Sequence, residues 1–160
     1  MERPADPFSR WAPHREVPGA GYLWRARRGV LVSQSMAQRC SVPWIKAVVD
    51  AVDRMLEHEI DIVGEGGLTF LHDWRSFTTY EAQARVELFA AMRGRPRGYV
   101  RRTMVAVPPT PLWRMAMAGA GLAYAFLGVR APELVSDARL LLTRETPALT
   151  MPEPAPAWFT

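Results

Sequence analysis

The chain has 160 residues, of which 49% are hydrophobic and 22% are charged, and its formal net charge is +4. This composition is typical of a soluble globular protein and provides enough apolar side chain for one core. Cys40 is the only cysteine, which excludes an internal disulfide, and Lys46 is the only lysine. An isoelectric point near 9.8 permits an anionic partner but does not require one, because acidic residues occur in the same segments.

Residues 1–20 form a predicted N-terminal arm that is rich in proline, arginine and glycine. Phe8 and Trp11 are isolated aromatic residues within it, and such a segment cannot pack a core of its own. The arm lacks the apolar core of a signal peptide and contains acidic residues, which are rare in transit peptides. A cytoplasmic location is therefore expected.

The domain, predicted over 21–145, opens with a β-hairpin and a helix. Residues 22–27 and 30–36 have strand-like patterns on either side of a turn at Arg28 and Gly29. The helix begins after Ser41, a capping residue, and carries Pro43 in its first turn. Its apolar residues recur at spacings of three and four: Trp44, Ile45, Val48, Val49, Val52, Met55 and Leu56.

The middle of the chain predicts a strand, a second helix and another strand. A short strand over 68–72 follows a glycine-rich turn, and a helix over 79–93 ends at Gly94 and Pro96. The expected inward face of this helix consists of Ala82, Val86, Phe89 and Met92. A strand over 99–107 is apolar enough at its end for burial on both faces.

The last part of the domain predicts a third helix, a short strand and a fourth helix. Thr110 and Pro111 open the third helix, which runs to Gly128, and residues 133–135 form the strand. Ser136 or Asp137 would cap the fourth helix. The order β-β-α-β-α-β-α-β-α predicts a single small α/β domain with a mixed, mostly parallel sheet and helices packed on it.

The third helix is apolar on almost every side, since Arg114 is its only charge. It is too short for a membrane span, which needs about 20 apolar residues. Its outer face needs cover from a second copy of the chain, an arm, a lipid surface or a hydrophobic ligand. Self-association is the first hypothesis, with Trp113, Met117 and Tyr124 as contact residues. Binding of a lipid or apolar ligand is the alternative.

Residues 146–160 form a predicted C-terminal arm with four prolines and an extended path. Trp158 and Phe159 near its end would pack on the domain or contact a partner protein.

The charged and metal-ligating residues point to no cofactor. Five arginines lie within 93–102, but a loop and an alternating strand would spread them apart, which disfavours nucleic acid as a partner. His14, His58 and His72 are not spaced as zinc ligands, and the sequence has no phosphate-binding glycine loop and no nucleophile elbow. We predict neither a metal nor a cofactor.

The stretch from His72 to Glu81 has two interpretations. A small hydrolase would use Ser76 as nucleophile, His72 as base and Asp73 or Glu81 as the orienting acid. However, adjacent strand residues point to opposite faces, so His72 should not be oriented by Asp73. The favoured interpretation is a capping box, in which Thr78 caps the second helix and Glu81 bonds back to it. A non-enzymatic protein is therefore predicted.

The order of elements, a strand ending in His72-Asp73-Trp74 and a helix start at Thr78-Thr79-Tyr80 together resemble the STAS and anti-sigma-factor-antagonist-like superfamily. The similarity includes the bacterial STAS/SEC14-like sequences of that group and covers about 22–145. It implies a regulatory domain that binds another protein, a nucleotide or a lipid.

In that superfamily a serine or threonine after the strand-end aspartate is phosphorylated at a helix N-terminus. By resemblance, Asp73 matches the aspartate, and Thr78 or Thr79 lies in the acceptor region, with Thr78 as the candidate acceptor. Trp74 and Arg75 would complete a partner-binding surface there. The Asp-Ser-x-Gly pattern of that loop is absent here.

Overall fold

A computed structural model describes residues 6–145 and 147–160. Residues 1–5 of the predicted N-terminal arm, and residue 146, where the predicted C-terminal arm begins, lie outside the described residues. The elements in chain order are β1 (Arg15–Val17), β2 (Gly21–Arg27), β3 (Val30–Ser35), β4 (Arg39–Cys40), α1 (Val42–His58), a 3-10 helix (Ile60–Val63), β5 (Leu68–Asp73), β6 (Thr79–Tyr80), α2 (Ala82–Arg93), β7 (Val100–Ala106), α3 (Pro111–Phe126), β8 (Glu133–Val135) and α4 (Arg139–Thr143).

Six strands form one sheet in the order β1-β2-β3-β5-β7-β8. The first three are antiparallel neighbours, whereas β3, β5, β7 and β8 pair in parallel. A helix connects each parallel strand to the next, as parallel pairing requires. The predicted fold class, one small α/β domain with a mixed, mostly parallel sheet, is confirmed. The sequence did not predict β1 or the two-residue pair β4 and β6.

Helices α1, α2 and α3 cover one face of the sheet. Each successive parallel strand is added on the same side of the previous one, and right-handed crossovers then place all three helices on one face. The core on this face includes Trp44 and Met55 from α1, Phe70 from β5, Ala84 from α2 and Trp113 from α3.

The opposite face is covered by α4 and by both terminal segments. Phe8 and Trp11 pack there on Trp24 of β2, with Phe8 stacked at a centroid distance of 5.6 Å. The indole nitrogen of Trp11 donates a hydrogen bond of 3.1 Å to the carbonyl of Thr150. Leu149 belongs to the same core. The described parts of both arms are therefore packed on the domain.

The last residues of the chain return to the α1 side. Phe159 is fully buried in the core of that face, and the ring of Trp158 stacks on His58 at 4.6 Å. Arg54 donates a hydrogen bond of 2.9 Å to the carbonyl of Trp158. Both aromatic residues suggested for partner contact thus contact their own chain.

The predicted capping box of α2 is wrong. The helix begins at Ala82, and the hydroxyl of Thr78 donates instead to the carbonyl of Gln38 at 3.2 Å. Pairing of β6 with β4 keeps residues 79–80 extended, so Thr78 cannot be the residue before a helix. The Glu81 carboxylate accepts a 3.0 Å hydrogen bond from the backbone N–H of Val42 and therefore supports the start of α1.

The predicted inward face of α2 is only partly right. Met92 is buried, but Ala82 and Val86 are exposed, and Ala84 is buried instead. Ala84, Leu88 and Met92 form a second apolar row at intervals of four residues; Ala84 and Leu88 pack against the core, and Met92 is buried. By contrast, the caps predicted for α1 and α3 are present: Ser41 accepts from the N–H of Trp44, and Thr110 from that of Trp113.

Candidate functional site

The carboxyl end of β5 carries a tight ion pair between Asp73 and Arg75. Both carboxylate oxygens of the buried Asp73 accept from the guanidinium, at 2.8 and 3.0 Å. This hydrogen bonding raises the pKa of Arg75 above its usual value. Because the carboxylate of Asp73 compensates the charge of Arg75, this guanidinium is not available to bind a phosphate.

The imidazole of His72 lies inside the protein and bonds the neighbouring strand. Its Nδ1 is 2.6 Å from the hydroxyl of Ser33, which faces it across the β3–β5 pairing. Trp74 donates to the same hydroxyl at 3.1 Å, and its ring stacks on His72 at 4.7 Å. Burial lowers the pKa of His72 to about 3, so the ring is neutral at pH 7.

The grouping that a hydrolase would need is not assembled. The hydroxyl of Ser76 lies 2.9 Å from the carbonyl oxygens of both Ser35 and Ala37, and its single proton serves these two acceptors. His72 is bonded to Ser33, and Asp73 to Arg75, so neither meets Ser76 in the hydrogen bonds of the described residues. The prediction that the protein is non-enzymatic stays a prediction.

Thr78 and Thr79 are exposed, one in the loop after β5 and the other in β6. Neither lies at a helix N-terminus, since α2 begins at Ala82. Phosphorylation of Thr78 stays a prediction. A phosphate there would not lie at the start of a helix, and so the helix dipole would not stabilise it.

Two adjoining cavities of about 90 Å³ each lie between α3, the neighbouring helices and the sheet. The inner one reaches the ring of His72, and the outer one reaches Cys40 and Trp113; together they are named the α3 cavity. Six residues line both parts: Ile45, Trp74, Leu88, Met117, Ala120 and Tyr124. Four residues suggested from the sequence for partner contact, namely Trp74, Trp113, Met117 and Tyr124, are thus brought together around one space.

Sequence reasoning missed the ring of His72 as a wall of this cavity. A signal was available, because Phe70, His72 and Trp74 alternate along β5 and must point to one face. Their rings form a continuous row, with centroid distances of 6.0 and 4.7 Å.

Cys40 and Tyr124, which both line the α3 cavity, are uncharged at neutral pH. Burial raises the pKa of Cys40 to about 12, which keeps it a thiol rather than a nucleophilic thiolate. Burial likewise raises the pKa of Tyr124 to about 12. The indole N–H of Trp113 is buried and has no hydrogen-bond partner in the part of the chain that the structure describes.

The outer face of α3 carries a row of exposed apolar side chains, named the α3 stripe. Leu112, Met115, Leu122 and Phe126 are between 45% and 92% exposed, and Gly119 lies at the centre of the row. Of the 16 residues of α3, Trp113 is the one that is buried. Helix α3 therefore buries few of its side chains against the domain and exposes apolar surface to solvent.

Most arginines of the basic segment are paired within the chain. Arg95 bonds Asp53 at 2.7 Å, and its guanidinium lies over the ring of Tyr99. Arg101 and Arg102 pair with two different carboxylates, those of Glu145 and Glu133. These pairs reduce the charge that the segment could offer to an anion.

No protein-family model, no curated protein and no solved structure matches this chain. The resemblance to the STAS superfamily stays a prediction. Among residues 6–145 and 147–160, no helix is both long and apolar enough to cross a membrane, and no cluster of three metal-ligating side chains occurs.

Acidification is expected to destabilise the protein through His72. Its folded pKa lies below the unfolded value of 6.5, so the stability from the neutral ring is complete above pH 6.5 and is lost as the pH falls. The free energy of unfolding should drop by up to about 1.4 kcal/mol per pH unit for this group. Urea titrations at pH 6.5, 6.0, 5.5 and 5.0 measure it.

The matched variant for this titration is His72→Gln, which keeps a polar side chain without a titration in this range. His14, whose pKa is also lowered by burial, contributes the same background slope to both proteins. A variant that loses stability as steeply as the wild type over this range would contradict the role given to His72.

Proposed function

We propose that the protein is a non-enzymatic interaction domain that self-associates through the α3 stripe. The observation that carries this proposal is the row of exposed apolar residues along α3. Its positions are spaced by three, four, three and four residues, the spacing by which two helices form a shared seam. We also propose a regulatory role, which is supported only by the order of the secondary-structure elements.

An antiparallel pair of α3 helices fits this stripe best. Leu112 and Phe126 are each seven residues from Gly119, so a twofold axis at Gly119 brings Leu112 of one copy opposite Phe126 of the other. Gly119 has no side chain and would let the two helix backbones approach closely. In this arrangement Arg114 would lie beside the negative end of the other helix dipole, which is a favourable position for a cation.

Gly119→Leu separates self-association from the stability of the monomer. An added Cβ at Gly119 would meet no atom within 4 Å inside the chain, and leucine favours a helix by up to about 1 kcal/mol over glycine. The monomer should therefore be equally or more stable, whereas the dimer should dissociate at least about tenfold more readily because the helices are held apart. Sedimentation equilibrium over a concentration series measures this.

Leu122→Glu and Met151→Glu provide a second comparison at two exposed apolar positions. Leu122 lies in the α3 stripe, whereas Met151 lies in the C-terminal segment. The first substitution should produce a monomer and the second should leave the dimer intact. A wild-type protein that stays monomeric throughout the series, or a dimer unaffected by Gly119→Leu, would refute the proposal.

A further inference from the structure

We propose that the α3 cavity binds a small uncharged molecule with an apolar body and one hydrogen-bond acceptor, of the class of aryl ketones. This site lies beneath α3, whereas self-association would use the outer face. The inference rests on the size of the cavity and on two donors in its walls that have no hydrogen-bond partner among the described residues.

The size of the cavity sets the size of the ligand. Each part measures about 90 Å³, and six side chains line both parts. An apolar cavity of about 150 Å³ holds benzene. One part alone is too small for an aromatic ring, so a ligand with one ring and a short substituent would occupy both parts.

The first donor is the Nε2–H of His72, and its tautomer follows from the hydrogen bonds of Ser33. The indole of Trp74 can only donate, so it uses the oxygen of Ser33 as an acceptor. Among the described residues, the Ser33 hydroxyl has Nδ1 of His72 as its one available acceptor, at 2.6 Å. Nδ1 therefore accepts, and the proton of the neutral ring is on Nε2.

Nε2 of His72 has no hydrogen-bond partner among the residues that the structure describes, although the side chain is only 6% exposed and lines the inner part of the cavity. An acceptor atom on a ligand would give this N–H the partner that the described residues do not supply, and so the site favours a molecule that brings one.

The second donor is the indole N–H of Trp113, which is buried without a partner among the described residues and lines the outer part. Both donors call for the same kind of group, an oxygen acceptor, and a ligand with a single acceptor would satisfy one of them. A carboxylate is disfavoured in the inner part, because Arg95 there is already paired with Asp53. Arg85, at the outer part, is exposed to solvent. An uncharged carbonyl oxygen fits these surroundings.

Acetophenone and α-methylstyrene test the proposal on the 160-residue chain. They have almost the same shape, but α-methylstyrene has a CH2 group where acetophenone has the carbonyl oxygen. We expect acetophenone to shift the amide signals of residues around His72 in NMR titrations, with an affinity about tenfold above that of α-methylstyrene. Benzoate, which carries a charge, should bind more weakly than acetophenone.

Two variants locate the binding. Leu88→Trp fills the cavity from α2, leaves α3 unchanged, and should abolish binding of both neutral probes. His72→Phe keeps an aromatic ring without a donor, and should make the affinities of the two neutral probes equal. Three results would overturn the proposal: equal affinities of the wild type for the two neutral probes, acetophenone binding that survives Leu88→Trp, or no binding at all. The first and the third are measured on the wild type alone.

Discussion

Phe159→Ala is expected to lower the free energy of unfolding by about 3–5 kcal/mol, the range typical of a fully buried phenylalanine. The ring is completely inaccessible to solvent although it is the second-last residue of the sequence. It packs edge-on against His14 at 6.1 Å, and the guanidinium of Arg15 lies over it at 5.9 Å. Urea unfolding followed by tryptophan fluorescence measures the loss.

Met151→Ala is the matched control in the same C-terminal segment. Met151 is 59% exposed, and its truncation should change the free energy of unfolding by no more than about 0.5 kcal/mol. If Phe159→Ala were equally harmless, the segment would contribute little to the domain. The ring would then be available to a partner, the other possibility that the sequence left open.

Gly67→Ala is expected to destabilise the protein by at least about 2 kcal/mol, because two separate costs act at this position. Gly67 has a φ of +98°, a conformation that a side chain strains. An added Cβ would also lie 2.5 Å from the carbonyl oxygen of Gly98 and 2.9 Å from the backbone nitrogen of Arg101. Both are backbone atoms, one in the loop before β7 and one in β7, so neither can rotate away as a side chain would.

Gly98→Ala isolates the first of these costs. Gly98 also has a positive φ, of +74°, but an added Cβ there would meet no atom within 4 Å. We expect this variant to lose only the conformational part, about 1–2 kcal/mol. Thermal unfolding of both variants measures the difference, and equal losses would mean that the loop before β7 relaxes to accommodate the methyl group at residue 67.

Local chemistry explains why much of the fold could be predicted. Ser41 and Thr110 each cap a helix through a hydroxyl three residues before the N–H that it accepts from, an interaction within one turn. The same reasoning failed at Thr78, where the sequence matches a capping box equally well. Pairing with residues 39–40, nearly forty positions earlier, decides the backbone conformation there. A pattern within one segment contains no information about such a partner.

The candidate site shows the same limit. Composition alone marked α3 as a helix whose apolar surface needs cover, and its outer face is indeed exposed. Which of its residues turn inward depends on how α3 rests on β5 and α2, and so the grouping of Trp113, Met117 and Tyr124 around one cavity could not be foreseen. The row of Phe70, His72 and Trp74 could have been, since it needs only the two-residue period of a strand.

The order of strands in the sheet follows the order of the chain without reversal. Assembly can therefore proceed as growth from one end: the β2–β3 hairpin forms from neighbouring residues, and β5, β7 and β8 then join one edge in succession. Contacts between the two terminal segments, which join the most distant residues of the chain, would form last. On this route, Phe159→Ala would speed unfolding and leave the refolding rate nearly unchanged, as stopped-flow kinetics can measure.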